Sequence, residues 1–346
     1  MTTPTARVVT FGEIMLRLSP PALERLLQTP ALTATFGGGE ANVAVSLAHF
    51  GLDSVYVTAL PAHAVGDAAV RALRAEGVRT DRIVRSGHRV GIYFAETGAS
   101  QRASTVVYDR AHSSIADLAP DSLDWTAIMN GAAWFHVSGI TPALSAHAAE
   151  STRRAIDAAR SAGARVSFDL NFRRKLWREA EAQRVVGPLL RNVDVLIANE
   201  EDLQSVLGIQ VAGADVTAGR LEHSGFREAA ERVTREFGPP TVAITLRESF
   251  SASDNGWSAV MWEAAAGRML TSQRYDIRVV DRIGAGDSFA AGLIYGFISG
   301  RTSEETLRFA VAASALKHTI PGDFNRVSVD EVDRLARGDA SGRVQR

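Results

Sequence analysis

Short apolar runs alternate along the chain with longer segments that have the apolar spacing of helices. Glycines that suit helix C-caps follow several of these segments, as at Gly51, Gly163 and Gly238. Continuous apolar strands separated by helices are typical of a parallel, doubly wound α/β sheet with helices on both faces. The predicted strands are residues 8–11, 54–60, 133–137, 165–170, 193–198 and 241–246, and the clearest helices are 40–50, 143–162 and 226–237.

A second pattern predicts a small β lid on this sheet. Residues 91–96 and 103–108 form two strand-like runs around a polar turn, which indicates a hairpin without a crossover helix. Residues 14–18 and 32–36 are similarly short and extended. We therefore predict one domain over residues 1–346, with a lid built from about 13–36 and 88–112. A lid would exclude water from a reaction, and the alternative is an edge hairpin that mediates dimerisation.

Composition excludes several classes of function. With 346 residues, 46% of them hydrophobic, the chain can bury a large core, and it contains no apolar stretch of transmembrane length. No signal-peptide pattern is present, so we expect a cytoplasmic protein. The absence of cysteine excludes disulfides, thiolate metal sites and a thiol nucleophile. A net charge of −1 gives no reason to expect nucleic-acid or membrane binding.

The stretch around Gly284-Ala285-Gly286-Asp287 is the strongest candidate for chemistry. An apolar run ends at two glycines, and a helical pattern follows. Free backbone amides at such a helix start, together with the helix dipole, bind anions such as phosphate. A carboxylate at this place is a candidate general base that takes a proton from a hydroxyl attacking a phosphoryl group. The alternative is that Asp287 is only a helix cap.

A second glycine cluster, residues 37–39, precedes a helix with small residues on one face. It allows close approach of a ligand, and Asn42 offers a donor and an acceptor to a sugar hydroxyl; a structural turn is the alternative. No Gly-Lys pair exists, which excludes a P-loop, and neither glycine cluster completes the dinucleotide-binding fingerprint. The histidines lack the spacing of a zinc site, and no Gly-x-Ser-x-Gly elbow is present.

Together, these motifs resemble the two signatures of the ribokinase-type (PfkB) carbohydrate kinases. The first matches residues 38–42, and the second matches Asp281 with residues 284–287. Within the family the chain is most similar to the kinases of 2-keto-3-deoxygluconate, on the motifs at residues 11–19, 37–42, 108–110, 137–142, 169–173 and 281–287. The resemblance implies a ribokinase-like fold and ATP-dependent transfer of phosphate to the C6 hydroxyl of that sugar acid.

It also implies roles for individual residues. Asp287 would be the base, with Gly284, Ala285 and Gly286 as the anion hole. The positions that match sugar-acid contacts are Gly38, Gly39, Asn42, Tyr93, Tyr108, Arg110, Arg173, Asp287 and Asp323. Two arginines suit a carboxylate ligand, because a guanidinium pairs with it through two hydrogen bonds. Surface salt bridging is the alternative role of these arginines.

The nucleotide side follows the family less closely. The positions that match nucleotide contacts are Asn171, Arg173, Asn199, Thr245, Arg247, Gly256, Gly284, Ala285 and Gly286. The Mg²⁺-associated Asn-x-x-Glu pattern of the family ends here in Asp202 after Asn199, and a shorter acid can still hold metal-bound water. The strand that ends in Thr245-Leu246-Arg247 lacks the glycine that many relatives carry. The resemblance thus implies ATP and Mg²⁺ as cofactors.

Two other functions stay open at this point. One is a related kinase for a neutral sugar such as fructose or ribose, and the other is a non-catalytic sensor of sugar acids, which an intact Asp287 disfavours. The sequence does not distinguish 2-keto-3-deoxygluconate from its galactonate epimer. We also expect a homo-oligomer that assembles through the β lid.

Overall fold

The computed structural model describes residues 5–211, 214–215, 220–221, 223–339 and 342. Along the chain the strands are β1 Arg7–Phe11, β2 Met15–Ser19, β3 Thr33–Gly37, β4 Asp53–Leu60, β5 Ile83–Arg85, β6 Gly91–Glu96, β7 Thr105–Asp109, β8 Ala132–Ser138, β9 Arg165–Asp169, β10 Val195–Asn199, β11 Ala214–Asp215, β12 Arg220–Leu221, β13 Thr241–Ser249, β14 Asp254–Glu263, β15 Arg268–Thr271 and β16 Tyr275–Arg278. The helices are α1 Gly39–His49, α2 Ala64–Ala75, α3 Trp125–Met129, α4 Ile140–Ala143, α5 Ala146–Ser161, α6 Glu179–Leu189, α7 Glu200–Leu207, α8 His223–Phe237, α9 Ala285–Ile298, α10 Ser303–Lys317 and α11 Val329–Ala336.

The main sheet is parallel over most of its width, as the apolar runs predict. Its order is β15-β14-β13-β10-β9-β8-β1-β4-β5, and β16 pairs with the free part of β14. Pairing is parallel from β13 to β5 and antiparallel among β13, β14, β15 and β16. The ribokinase-like α/β fold class is therefore confirmed.

Helices cover both faces of the main sheet. In β10, Leu196 and Ala198 belong to one buried cluster, while Val195 and Ile197 belong to the other. The first cluster includes residues of α3, α5, α6, α7 and α8, and the second includes residues of α1, α9, α10 and α11. Because neighbouring strand residues face opposite layers, a strand buried on both sides needs an unbroken apolar run.

One predicted helix differs from the structure. The helix expected over residues 143–162 is α5, which begins three residues later at Ala146, and Ala143 is the last residue of the separate helix α4. Ser145 is extended and accepts the backbone N–H of Ala148 at 3.1 Å, so it caps the start of α5. A serine in this position competes for backbone hydrogen bonds and favours a new helix start over a continuous helix.

A separate small sheet lies beside the main one, in the order β3-β2-β6-β7. The β2/β3 and β6/β7 pairs are antiparallel, and β2/β6 is parallel. Its strands lie in the two predicted lid segments, except that β3 ends at Gly37, one residue beyond the first segment. The tip of the β6/β7 hairpin reaches the turn between β13 and β14, where the Ala252 N–H donates to the Ser100 carbonyl at 2.8 Å. Within the described residues, no helix combines the length and the apolar character needed to cross a bilayer.

Candidate active site

A cavity of about 470 Å³ opens where the carboxyl ends of β9, β10 and β13 meet the small sheet and the start of α9. This is the edge at which parallel α/β sheets bind ligands. The structure brings nearly all of the predicted site residues to this cavity. They are Gly38, Gly39, Asn42, Tyr93, Tyr108, Arg110, Asn171, Arg173, Asn199, Asp202, Thr245, Arg247, Gly284, Ala285, Gly286, Asp287 and Asp323.

Asp287 lies in the first turn of α9 and is 9% exposed. Its Oδ2 accepts a hydrogen bond of 2.7 Å from the side-chain amide of Asn42. Burial raises the pKa of the Asp287 carboxyl to about 7, and the nearby carboxylates of Asp323 and Glu40 add to the rise. A carboxylate with such a pKa is half ionised near neutral pH and can accept a proton efficiently. Its side chain does not cap α9, whose N-cap is Gly284.

The turn before Asp287 exposes backbone to the cavity. Gly284 has φ +88°, and a Cβ on it would meet the carbonyl oxygen of Asp323 at 2.1 Å. Any other residue would be strained in this conformation and would collide with backbone. A Cβ on Gly286, in contrast, would meet nothing within 4 Å, so the helix start faces open space. The Ala285 N–H donates to the Arg282 carbonyl at 3.3 Å, and the start of α9 is open to a ligand at Gly286.

A buried cluster of charges lies behind the turn. Arg17 of β2 donates to Asp281 Oδ2 at 2.6 Å and to Asp323 Oδ1 at 2.8 Å. Tyr93 of β6 donates its hydroxyl to the Asp323 carboxylate at 2.6 Å. The fully buried Lys317 donates to the Ile320 carbonyl at 3.0 Å, and burial lowers the pKa of its ammonium group. This cluster joins the small sheet to the loops on both sides of the glycine turn, and it carries two positive and two negative charges.

Arg110 is not a free arginine. It is buried, and its Nε donates to Glu13 Oε2 at 2.7 Å, while its Nη2 contacts the same oxygen. Its guanidinium also lies over the Tyr108 ring, 5.4 Å from the centroid. The family resemblance implies that Arg110 contacts a ligand carboxylate, but the Glu13–Arg110 pair is neutral as a unit. The remaining N–H groups of the guanidinium can still donate to a ligand.

Arg173, in the loop after β9, has a different environment. Its Nη1 donates to the Phe172 carbonyl at 3.0 Å, and no carboxylate lies within salt-bridge distance in the described ranges. Its charge lowers the pKa of the Asp202 carboxyl, but burial outweighs this effect and the pKa is raised to about 6. Arg173 therefore keeps a positive charge available to a ligand.

Carboxylates gather at the ends of β9 and β10. Burial raises the pKa of Asp169 well above its usual range, and the negative charges of Asp202 and Asp287 raise it further. Asn199 caps α7, with its Oδ1 accepting the Asp202 N–H at 2.8 Å. Such a concentration of negative charge is favourable for a cation. Over the described residues, however, no group of three or more acidic or histidine side chains is arranged to hold a metal ion directly.

Gly256 is the predicted site residue that does not reach the cavity. It lies in β14 between Asn255 and Trp257, which both line the cavity. A Cβ on Gly256 would meet the guanidinium of Arg274 at 2.7 Å. Because alternate strand residues face opposite sides, Gly256 points away from the site. The nucleotide contact expected at this position is not supported by the geometry.

Several lining residues were not assigned a role from the sequence. Ile140 begins α4 beside the sugar-side residues, and Trp257 packs edge-on against the buried His318 with ring centroids 5.0 Å apart. Nothing in the local sequence distinguishes Trp257 and His318 from ordinary core residues. Arg282 also lines the cavity. Its signal in the sequence is its place after Asp281 and two residues before Gly284.

A buried carboxyl with a raised pKa beside a glycine turn, at the strand ends of a mainly parallel α/β sheet, is an arrangement suited to phosphoryl transfer. The chain matches the model of the pfkB family carbohydrate kinases over residues 5–326, and it belongs to that family.

Individual relatives share most of the chain. It is 35% identical to the 2-dehydro-3-deoxygalactonokinase of Haloferax volcanii over 98% of this chain and 99% of the relative. The crystal structure of 2-dehydro-3-deoxygluconokinase from Thermotoga maritima has a TM-score of 0.93 and 52% identity, covering 96% of this chain and 100% of that one. The fructokinase of Xylella fastidiosa with bound ATP, at 24% identity, shares the fold, with a TM-score of 0.75 over 96% and 98% of the two chains.

Proposed function

We propose that the protein transfers the γ-phosphoryl group of ATP to the C6 hydroxyl of 2-keto-3-deoxygluconate, also called 2-dehydro-3-deoxygluconate. The products are 2-keto-3-deoxy-6-phosphogluconate and ADP. The observation that carries this proposal is the buried Asp287 carboxylate beside the glycine turn, where the start of α9 is open to a ligand at Gly286. The substrate is suggested by the names of two relatives, one acting on the gluconate and one on the galactonate epimer.

In the proposed reaction, Asp287 accepts the proton of the acceptor hydroxyl while the hydroxyl oxygen forms a bond to the γ-phosphorus. The bond between that phosphorus and the β,γ-bridging oxygen breaks, and ADP leaves with the bonding electrons. The amides of Gly284, Ala285 and Gly286 stabilise the negative charge of the transferring group. Asn42 holds Asp287 in place by its 2.7 Å hydrogen bond.

Charge at the cavity supports an acid as the acceptor. Arg173 has no salt-bridge partner within 4 Å in the described part of the chain, and it can pair with a ligand carboxylate. The remaining N–H groups of Arg110 are directed hydrogen-bond donors, and the Glu13–Arg110 pair has no net charge. We therefore assign the main carboxylate contact to Arg173, and orientation of the sugar to Arg110, Tyr108 and Asn42.

The acidic strand ends fit a hydrated divalent cation. Asp202 Oδ1 already accepts the Phe172 N–H at 3.0 Å, so its second oxygen is the free one. Mg²⁺ prefers oxygen donors and keeps several of its waters. We propose that Asp202 and Asn199 hold Mg²⁺ through water, close to Asp169. When bound, the ion would neutralise phosphate charge during transfer.

The proposal is tested by a coupled kinase assay on a panel of 2-keto-3-deoxygluconate, 2-keto-3-deoxygalactonate, fructose and ribose. Two-dimensional ¹H–³¹P NMR of the product then locates the phosphate. We expect the keto-acids to have the highest kcat/KM and phosphorus to couple to the C6 protons. A neutral sugar as the best substrate, or phosphate on another carbon, would refute the proposal.

The domain organisation and the oligomeric state belong to the same proposal. We propose that residues 1–346 act as one kinase domain whose small sheet closes over the acceptor and also forms a homo-oligomer contact. Leu23 and Leu27, in the loop between β2 and β3, support such a contact, because their side chains are large, apolar and exposed. Light scattering on the purified protein measures the mass, and a monomer at all concentrations would contradict it. A cytoplasmic location stays a prediction.

A further inference from the structure

The end of α10 holds the segment that carries the glycine turn. Ser314 donates its hydroxyl to the Ala285 carbonyl at 2.7 Å. The His318 carbonyl accepts the N–H groups of Val280 and Asp281 at 2.8 and 3.1 Å. The last turn of α10 and the residue after it therefore fix the chain both before the glycine turn and within it.

Lys317 is the last residue of α10 and is fully buried. Its Nζ donates to the Ile320 carbonyl at 3.0 Å and has a longer contact of 3.5 Å with the Asp281 carbonyl. A Cβ on Gly284 would meet the Cε of Lys317 at 3.2 Å, so the lysine side chain packs directly against the glycine turn. Lys317 does not itself line the cavity. It can therefore act on a ligand only through its charge and through the backbone that it holds.

The charge of Lys317 has no direct counter-ion. Over the residues that the structure describes, no carboxylate oxygen lies within 4 Å of its Nζ, whereas Asp281 and Asp323 are both paired with Arg17. Burial lowers the pKa of its ammonium group, which the carboxylates of Asp281, Asp323 and Asp287 oppose. The charge of Arg17 adds to the lowering. A buried ammonium group costs free energy, so packing alone does not explain a lysine here.

Without Lys317, the buried cluster would have an excess negative charge. Arg17 has one positive charge, whereas its partners Asp281 and Asp323 have one negative charge each. An uncompensated carboxylate at this place would repel an anion bound on the open side of the glycine turn. It would also disfavour ionisation of Asp287, whose charge and that of Lys317 attract each other. The lysine opposes both effects.

We propose that Lys317 is a positioning residue for phosphoryl transfer, whose buried ammonium group favours an anion at the glycine turn and keeps the Asp287 carboxylate ionised. This inference rests on the proposed kinase function. A charge that is fixed in the protein interior acts more strongly than one in water, and it needs no rearrangement during the reaction. The carbonyls of Ile320 and Asp281 hold the ammonium group in this place.

A purely structural role for Lys317 predicts a different result. Its hydrogen bonds would then serve only to join the end of α10 to the loop that follows. A neutral donor of similar length would replace the lysine, and only a residue without a donor would be harmful. Lys317→Gln keeps a donor without the charge, and Lys317→Met has neither. Comparing the two variants therefore separates hydrogen bonding from charge.

The experiment measures two quantities in wild type, Lys317→Gln and Lys317→Met. The first is kcat/KM against pH with the best acceptor of the sugar panel, and the second is the pKa of Asp287, from NMR of ¹³C-labelled aspartate carboxyl groups assigned with Asp287→Asn. In both variants we expect kcat/KM at pH 8 to fall about tenfold. The pKa of Asp287 and the acid limb of the activity profile should both move to higher pH.

Arg165→Met is the matched control, because it removes a half-buried cation that lies over Trp134 at the start of β9, away from the cavity. It should change neither quantity. Wild-type activity in Lys317→Gln with a loss confined to Lys317→Met would overturn the inference, and so would an unchanged pKa of Asp287 in both variants. Should one variant fail to fold, the other must still show both changes, and failure of both would establish a structural role instead.

The NMR titration also separates this inference from the proposed function, because it needs no turnover. If the pKa of Asp287 rises in the variants while wild type phosphorylates no sugar of the panel, the kinase function is wrong and the electrostatic role of Lys317 stands. If wild type is an active kinase and the pKa of Asp287 is the same in all three proteins, the kinase function stands and the role of Lys317 is wrong.

Discussion

The two sides of the cavity differ in how completely their charges are paired. On the side of the small sheet, Arg110 is bound to Glu13, and Asp323 is bound to Arg17 and Tyr93. On the side of β13, Arg247 and Arg282 have no carboxylate within 4 Å in the described chain. A paired side keeps its shape without ligand and selects by geometry. Arginines without a salt-bridge partner keep N–H donors for an anionic ligand, so binding on that side depends more on electrostatics.

The largest expected effect is on kcat, in a variant of Asp287, which lies where the two sides of the cavity meet. Asp287→Asn removes the base while keeping the shape of the side chain, so kcat should fall by a factor of roughly 10²–10⁴ or more. Nucleotide and sugar binding, measured by calorimetry, should change little. Near-normal turnover in this variant would remove Asp287 from the mechanism. Asp276→Asn, an exposed carboxylate of β16, is the control.

The paired side should respond to mutation through stability. Arg110→Ala leaves the buried Glu13 carboxylate without its partner, which costs about 3–5 kcal/mol. The free energy of unfolding, measured by urea denaturation, should fall by this amount. The double variant Glu13→Gln with Arg110→Ala should recover most of the loss. Equal stability of Arg110→Ala and wild type would show that the pair is not a structural element.

The pKa of Asp287 predicts how activity depends on pH. Since the base acts when ionised, kcat/KM should rise about tenfold from pH 6 to pH 8, about half of the full value being reached at pH 7, and level off above that range. The groups facing Asp287 are Asn42, Asp323, Glu40 and Arg173. A profile that is flat between pH 5.5 and 8 would contradict this assignment.

The raised pKa of Asp287 also makes the stability of the fold depend on pH, and stability falls as pH rises, whereas activity increases. A carboxyl whose folded pKa is raised contributes stability below its unfolded pKa of about 4, and this contribution is lost as pH rises through about 7. Asp287→Asn does not ionise. Its melting temperature relative to wild type should therefore be higher at pH 8 than at pH 5. A difference that is the same at both pH values would argue against the raised pKa.

The smallest expected effect concerns the small sheet. Ligand contacts with Tyr93, Tyr108 and Arg110 should slow amide hydrogen exchange over residues 91–110 severalfold when substrate is added. Amide hydrogen exchange in β2 should change less, because Arg17 of that strand is already paired with Asp281 and Asp323. Unchanged exchange over the whole hairpin would count against a lid.

Much of the fold follows from local sequence. Strands buried on both faces require continuous apolar runs, so the parallel core was predictable, and both glycine clusters form turns beside the cavity. The antiparallel edge of β14, β15 and β16 was not predicted. β15 and β16 have only four residues each, and the ten residues of β14, although mostly buried, include Asp254, Asn255 and Ser258, so no long apolar run marks these strands.

The sequence predicts which residues line the site, but it does not predict which of them form ion pairs with one another. The motifs identify which residues gather at the cavity, because each belongs to a strand end or a turn. They do not show that Glu13 neutralises Arg110, 97 residues away, or that Arg17 reaches Asp323 across 306 residues. Such pairing depends on tertiary contacts that no local pattern contains. For the same reason, the motifs assign Arg110 and Arg173 the same role, whereas the structure shows that only Arg110 is paired with a carboxylate.

The most direct test of an acid-specific acceptor site is therefore made on Arg173. The ratio of kcat/KM for 2-keto-3-deoxygluconate to that for a neutral analogue without the carboxylate is measured in wild type and in Arg173→Ala. A charge-assisted bond contributes roughly 1.5–3 kcal/mol, so the ratio should fall about ten- to a hundredfold, mainly through KM for the acid. Arg173→Lys should restore it in part. A ratio that is unchanged in Arg173→Ala, or a wild type that prefers the neutral analogue, would contradict the assignment.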